Sequence, residues 1–357
     1  MSALLFSPIT IENTTVENRI CVPPMCQCRA DNGLARPWHT MHYGRLMNSG
    51  AGLVVVEATA VSPEGRITTR CLGLYDDAQQ QALAKLVHDC RAVAARPKLF
   101  IQLSHAGRKG SRDDPARGKR VLSPEEGGFE LIAPTAGSYF AGTPAARMMT
   151  EEDIKRVIAD FAAAAARAAA AGFDGIQLHA AHGYLLHQFL SPVTNKRTDR
   201  WGGSRENRMR FALAVIEAVK KAAEGVPLAL RVPASDWIEG GWQIEDTVAF
   251  VEKVKDLGVA AVDVSVGGGI DPAQTLPAGQ VMVQKYSRTI REATGIITYA
   301  AGHITEPLQA EAVLAAGDAD GVCIGREMIR NPNWGWRAAQ ELHAVVQVPA
   351  PYVPAFF

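Results

Sequence analysis

Eight short apolar runs recur along the chain, each followed by a polar loop and most of them by a helix-like stretch. No other feature limits the possible folds so tightly. The runs are Arg19–Pro23, Leu53–Glu57, Leu99–Leu103, Gly175–His179, Leu228–Val232, Ala261–Val266, Ile296–Ala300 and Gly321–Ile324. Continuous apolar runs of this length suit parallel strands buried on both faces. Helices are predicted over about Asp77–Ala95, Thr150–Ala171, Ser204–Ala223, Glu245–Leu257, Val281–Ala293, Glu306–Ala316 and Asn333–Ala344. Thr150 and Asp153 have capping-box spacing, Gly172 can close that helix, and Ser204 can cap the next. Strands alternating with helices in this number favour a closed (β/α)8 TIM barrel, of class α/β, over a doubly wound sheet.

The 357 residues fit one such domain, and 47% hydrophobic content supplies its core. Three segments exceed a minimal barrel. Residues 1–18 precede the first strand and are expected to form a small hairpin as an N-terminal cap on the barrel floor. Residues 110–149 form a long excursion after strand three, on the active face, and are expected to act as a lid. Residues 345–357 form a C-terminal tail.

Lysine plus arginine and aspartate plus glutamate are balanced at 37 each, which argues against nucleic acid or an anionic membrane as partner. The six cysteines make no CxxC pair, so a cytoplasmic location is expected. The N-terminal stretch shows no basic region followed by a long apolar one, and the alanine-rich stretch Phe161–Ala171 is too short to span a bilayer.

Chemistry in this fold sits at the C-terminal strand ends. Gln102 and Arg231 interrupt apolar runs, and a buried amide or guanidinium is costly unless it is hydrogen-bonded or paired. An isoalloxazine ring would satisfy both, with its pyrimidine edge at Gln102 and its N1/O2 edge at Arg231. A structural ion pair from Arg231 to Glu57 or Asp263 is the alternative. Gly302 and Gly325 follow strands seven and eight, the usual phosphate grip, and Arg326 adds charge. Ordinary turn glycines are the alternative there.

His179, His182 and Tyr184 crowd the end of strand four. A metal pair would need a third ligand, for which His187 and His105 are poorly spaced. Two imidazole donors can instead hold a carbonyl oxygen as it becomes an enolate, and a tyrosine can deliver the proton to the α-carbon.

The segments PPMCQC, VVVEATAVSPEGR, IQLSHAGRKG, DGIQLHAAHGYLLHQFLSPVTNKRTDRWGGSRENR, LRVPASDW and CIGREMIRNP closely resemble the old yellow enzyme family, in particular its bacterial thermophilic-type and xenobiotic reductase branch. The resemblance runs over roughly residues 4–337 and is most specific from Asp174 to Arg208. It implies noncovalent FMN in the barrel mouth, touched by Pro23, Pro24, Met25, Cys26, Ala58, Gln102, Arg231, Ala301, Gly302, Gly325 and Arg326. It implies that His179 and His182 bind a substrate carbonyl, that Tyr184 donates a proton, and that Cys26 tunes the flavin. An inert buried thiol is the alternative for Cys26. The implied reaction is a ping-pong reduction of the C=C bond of an enone or enal, with NADPH or NADH as reductant, by a homodimer or homotetramer.

Three positions depart from the branch. Cys28 stands where a substrate-contacting tyrosine is usual, Trp201 where a tyrosine is usual, and no arginine follows Arg337 in the tail. No GxGxxG follows a strand, so no dedicated nicotinamide fold is predicted. The competing reading is a phosphate-ligand lyase or aldolase without flavin. It would need a Schiff-base lysine or a metal triad, and no lysine lies within the eight runs.

Overall fold

The computed structural model describes residues 3–94, 96–266, 269–272 and 283–356. Eight parallel strands close into a barrel in chain order: β3 (Ile20–Val22), β4 (Leu53–Ala60), β5 (Lys98–Ser104), β8 (Gly175–His179), β9 (Leu228–Pro233), β10 (Ala261–Ser265), β11 (Ile297–Ala301) and β12 (Gly321–Cys323), which pairs back to β3. These are the eight runs predicted above. Before them, β1 (Ile9–Ile11) and β2 (Thr14–Val16) form an antiparallel hairpin. Ile9, Ile11 and Val16 of the hairpin pack with Leu53, Val55, Phe100 and Tyr299 of the barrel strands.

Strand alternation explains how the interior changes character with height. Low in the barrel, Phe100, Ala229, Ala261 and Tyr299 face inward. Two residues further along these strands come Gln102, Arg231, Asp263 and Ala301. The register sets Gln102 beside Gln177 and Arg231 between His179 and Asp263. One period-two step thus carries the interior from an apolar plug to a polar mouth.

A bulge interrupts β4: Glu57 and Ala58 together oppose the one residue Gln102, between the pairs Val56–Ile101 and Thr59–Leu103. Bulges re-aim side chains, and Glu57 reaches His39 and Tyr43 of the neighbouring helix rather than Arg231. The Tyr43 hydroxyl lies 3.3 Å from Glu57 Oε1, and the Gln27 N–H donates to Oε2 at 2.8 Å.

The predicted helices appear as Asp77–Val93, Glu151–Ala170, Arg205–Ala222, Ile244–Asp256, Val283–Thr294, Pro307–Ala315 and Trp334–Glu341. The predicted ends at Ala95 and at Val281 and Met282 lie outside the described residues. Thr150 accepts from the Asp153 N–H at 3.2 Å, and Asp153 returns the bond to the Thr150 N–H at 2.8 Å. Helix Pro37–Met47 was not predicted. It opens without a Ser, Thr, Asp or Asn cap; the free Arg36 N–H donates instead to His39 Nδ1 at 2.9 Å.

Within residues 110–149, β6 (Ile132–Ala133) and β7 (Arg147–Met148) form a small parallel pair over Leu131, Ala133 and Ala146. Trp201 is buried and donates to Glu151 at 2.6 Å, a structural tie. No helix among the described residues is long and apolar enough to cross a membrane.

Candidate active site

A cleft of about 520 Å³ opens at the C-terminal strand ends. Pro23, Pro24, Met25, His182, Arg231, Ala301, Gly302, Gly325 and Arg326 all line it, which brings together most of the predicted binding residues. The size lies within the ~300–1,000 Å³ common for small-molecule sites. A larger groove of about 860 Å³, lined by Arg45, Trp336 and Tyr352 among others, lies on the outer helical layer and includes none of the strand-end residues.

Arg231 Nε lies 3.5 Å from Asp263 Oδ2, which decides the ion-pair partner left open above. The pair is loose: neither Arg231 Nε nor either Asp263 oxygen has a hydrogen bond within the protein. Burial pushes the Asp263 carboxyl up, against the pull of Arg231. A half-buried cation so loosely paired retains donors for another acidic or polar partner.

Gln102 Nε2 donates to Gln177 Oε1 at 2.6 Å. The two amides are register neighbours on β5 and β8 and hold each other in place. Gln177 was not among the predicted site residues, although a second amide in an apolar strand was a visible signal.

His179 ends β8. The Ala181 N–H donates to its Nδ1 at 3.3 Å, which leaves its proton on Nε2. His182 follows in the left-handed region, with φ of 57°, and its Nδ1 lies 3.2 Å from His179 Nε2. Its Nε2 lies 2.6 Å from Ser265 Oγ at the end of β10. Protons therefore point from His179 to His182 to Ser265. Burial, then the positive charge of Arg231, pushes both imidazoles well below their usual range, so both are neutral. The Tyr184 ring meets His179 edge-on at 4.9 Å between centroids, and burial raises its phenol.

Three further residues shape this turn. Lys109 Nζ donates to the His182 carbonyl at 2.6 Å and stands 4.8 Å from the Tyr184 ring centre. Burial, then Arg112 and Arg108, lowers its ammonium to about 7. His187 Nδ1 accepts the Gly183 N–H at 2.9 Å, and its Nε2 lies 2.8 Å from Asp236 Oδ1. Nothing in the strand pattern singled these out, because none stands at a strand end.

Cys26 is exposed, against the buried-thiol alternative, whereas Cys28 and Cys71 are buried. Ala58 is buried at the β4 bulge opposite Gln102. All six cysteines are free, and no group of three or more metal-ligating side chains occurs among the described residues.

A model of the NADH:flavin oxidoreductase / NADH oxidase family matches residues 4–344. The NADPH dehydrogenase of Geobacillus thermodenitrificans is 41% identical over 99% of this chain and 98% of its own. That of Listeria monocytogenes is 41% identical over 99% of each chain. Among solved structures, morphinone reductase in complex with tetrahydroNAD superposes with a TM-score of 0.77 at 27% identity, covering 99% of this chain and 93% of that one. A 2-naphthoyl-CoA reductase superposes with a TM-score of 0.83 at 26% identity, over 96% of this chain but 53% of that longer one. These matches decide against the flavin-free lyase reading.

The cleft fits FMN on its own terms. Arg231, loosely paired with Asp263 and lining the cleft, has an Nε without a hydrogen bond and offers its guanidinium to an electron-rich ring edge, as a flavin requires. Gly302 holds a φ of 152°, and a Cβ there would strike Val283 at 2.8 Å, so the backbone is bare where a phosphate tail needs close approach. Taken with the family match and the relatives' length and identity, the chain belongs to the NADH:flavin oxidoreductase family, the old yellow enzymes, and is an FMN-dependent oxidoreductase that draws on NAD(P)H.

Proposed function

We propose that this enzyme reduces the C=C bond of α,β-unsaturated carbonyl compounds such as enones and enals. The observation that carries this reading is the convergence of two neutral imidazoles and one protonated phenol at the end of β8. FMN, when bound, supplies the hydride-carrying ring, with NADPH or NADH as the source of the hydride. Gln102 and Arg231 would hold the ring, Cys26 and Ala58 would flank it, and Gly302, Gly325 and Arg326 would hold its phosphate.

His179 and His182 would donate N–H bonds to the substrate oxygen. Being neutral, each has one N–H to give, and an oxygen that becomes negative strengthens both bonds as the reaction proceeds. Tyr184 keeps its proton at neutral pH and would pass it to the α-carbon. Lys109 would then steady the phenolate left behind, since its cation lies against that ring. The substrates are small molecules, and we place the enzyme in the cytoplasm as a homodimer or homotetramer.

The test is an anaerobic titration. The purified yellow protein is reduced with NADPH and then given 2-cyclohexenone. Recovery of the yellow colour with formation of cyclohexanone supports the proposal. Bleaching by NADPH without recovery on adding any enone or enal removes it and leaves the flavin reductase alone.

A further inference from the structure

The polar layer at the barrel mouth holds one acid that the proposed reaction does not use. Asp263 stands on β10, in register with Arg231 on β9 and Tyr299 on β11. It is 4% exposed and does not line the cleft, whereas Arg231 does. Its Oδ2 lies 3.5 Å from Arg231 Nε, and among the described residues no other cation comes within ion-pair distance of it. Glu57, the acid of β4, is turned away by the bulge towards Tyr43 and Gln27. The Arg231 guanidinium therefore has a single carboxylate behind it and the cleft in front.

Stability does not explain this acid. Neither of its oxygens has a hydrogen bond within the protein, and neither has Arg231 Nε. A buried carboxylate so sparsely satisfied loses more in hydration than a loose pair returns, and apolar residues can fill such positions without loss of stability. Burial disfavours its charge, and Arg231 is the largest influence that opposes burial. The pair does have a direction. Arg231 alone would present a full positive charge to whatever occupies the cleft. With a carboxylate 3.5 Å behind it, an electron-rich ring meets a weaker field.

We propose that Asp263 is a positioning residue that restrains Arg231 and offsets its charge, so that the reduced form of bound FMN is favoured less than Arg231 alone would favour it. This inference rests on the placement of the ring edge at Arg231 given under the proposed function. Hydride brings negative charge to that edge, and a cation beside it favours the reduced cofactor. The same site must take hydride from NAD(P)H and give it up to a substrate. An uncompensated guanidinium would help the first transfer at the expense of the second. The closest contact of the pair runs through Nε, which leaves the terminal nitrogens of Arg231 for the cleft.

The test reads the midpoint potential of the FMN-loaded protein by anaerobic equilibration with an indicator dye. Asp263→Asn keeps the shape of the side chain and removes its charge. It should shift the equilibrium towards reduced FMN by roughly tenfold, about 30 mV more positive for a two-electron couple. Asp263→Ser should shift it the same way, and either variant decides the matter if the other does not fold. An unchanged or lower potential overturns the proposal. So does loss of FMN, or of the fold, from both variants, because the acid would then serve binding or folding instead. Arg231→Ala separates this inference from the one beneath it. A lower potential or loss of FMN there supports the placement of the ring at Arg231 and leaves the Asp263 variants to decide. Full retention of FMN at an unchanged potential removes that placement, and this inference with it.

Discussion

The imidazoles of His179 and His182 face each other across a single 3.2 Å contact, Nε2 to Nδ1, and the second ring hands its own proton on to Ser265. In this arrangement the two N–H groups assigned to the substrate oxygen already have acceptors. Binding must exchange those acceptors for the carbonyl. Removing the outer one should help. Ser265→Ala is expected to tighten binding of a phenolate, a mimic of the enolate oxygen, by roughly 2–10-fold, one neutral hydrogen bond's worth. A spectral titration measures it, and unchanged or weaker binding contradicts the arrangement.

Asp236 and His187 act on the same turn from below, since His187 accepts the Gly183 N–H between His182 and Tyr184. Asp236 also accepts from the Ser191 hydroxyl at 2.6 Å and the Trp242 N–H at 2.8 Å. Burial disfavours its charge, but His187 and these donors outweigh that and hold its carboxyl below the usual range. Asp236→Ala should cost about 3–5 kcal/mol in denaturant unfolding, the scale for breaking a buried pair. In the folded fraction it should slow enone turnover more than reduction by NADPH. An equal effect on both half-reactions would show that the turn is not what Asp236 holds.

Arg231 is set between a buried acid and the cleft. Arg231→Ala should weaken FMN retention, measured by ultrafiltration and absorbance. It also leaves Asp263 unpaired, so the double variant with Asp263→Asn separates the two effects. If the double variant retains FMN like the unmodified protein, Arg231 serves only the ion pair.

Stability should fall in mild acid. Burial lowers His39, His42 and His105 to about 4, and holds His179 and His182 well below their ordinary range. Unfolded, these groups bind protons near pH 6.5, so between that pH and about 4 the unfolded state takes up more protons than the native one. Their stabilisation is complete above about pH 6.5 and is lost as pH falls, by up to about 1.4 kcal/mol per pH unit for each group. Urea unfolding at pH 5 and pH 7 checks the sign. Equal or greater stability at pH 5 contradicts it.

The barrel was legible because every one of its strands is an apolar run buried on both faces, and parallel strands need no turn code to be seen. Helix Pro37–Met47 was not, because His39 replaces an ordinary cap and Gly44 interrupts it. Residues at strand ends, such as His179 and Arg231, stand out as polar breaks. Ser265 and Gln177 occupy the same layer, but a small hydroxyl or a second amide is a weaker signal. Lys109 and Asp236 reach the site from loops, where sequence pattern carries no geometry. The β4 bulge was equally hidden, and it alone decides that Glu57 turns to Tyr43 and leaves Arg231 to Asp263.

The account rests on the imidazole pair as the grip on the substrate oxygen, and the double variant His179→Ala with His182→Ala tests it most directly. Stopped-flow absorbance follows each half-reaction separately. The variant should stay yellow, should still bleach with NADPH, and should lose reoxidation by 2-cyclohexenone by at least about 100-fold, the scale for removing an oxyanion donor. Reoxidation at the unmodified rate would contradict the assignment.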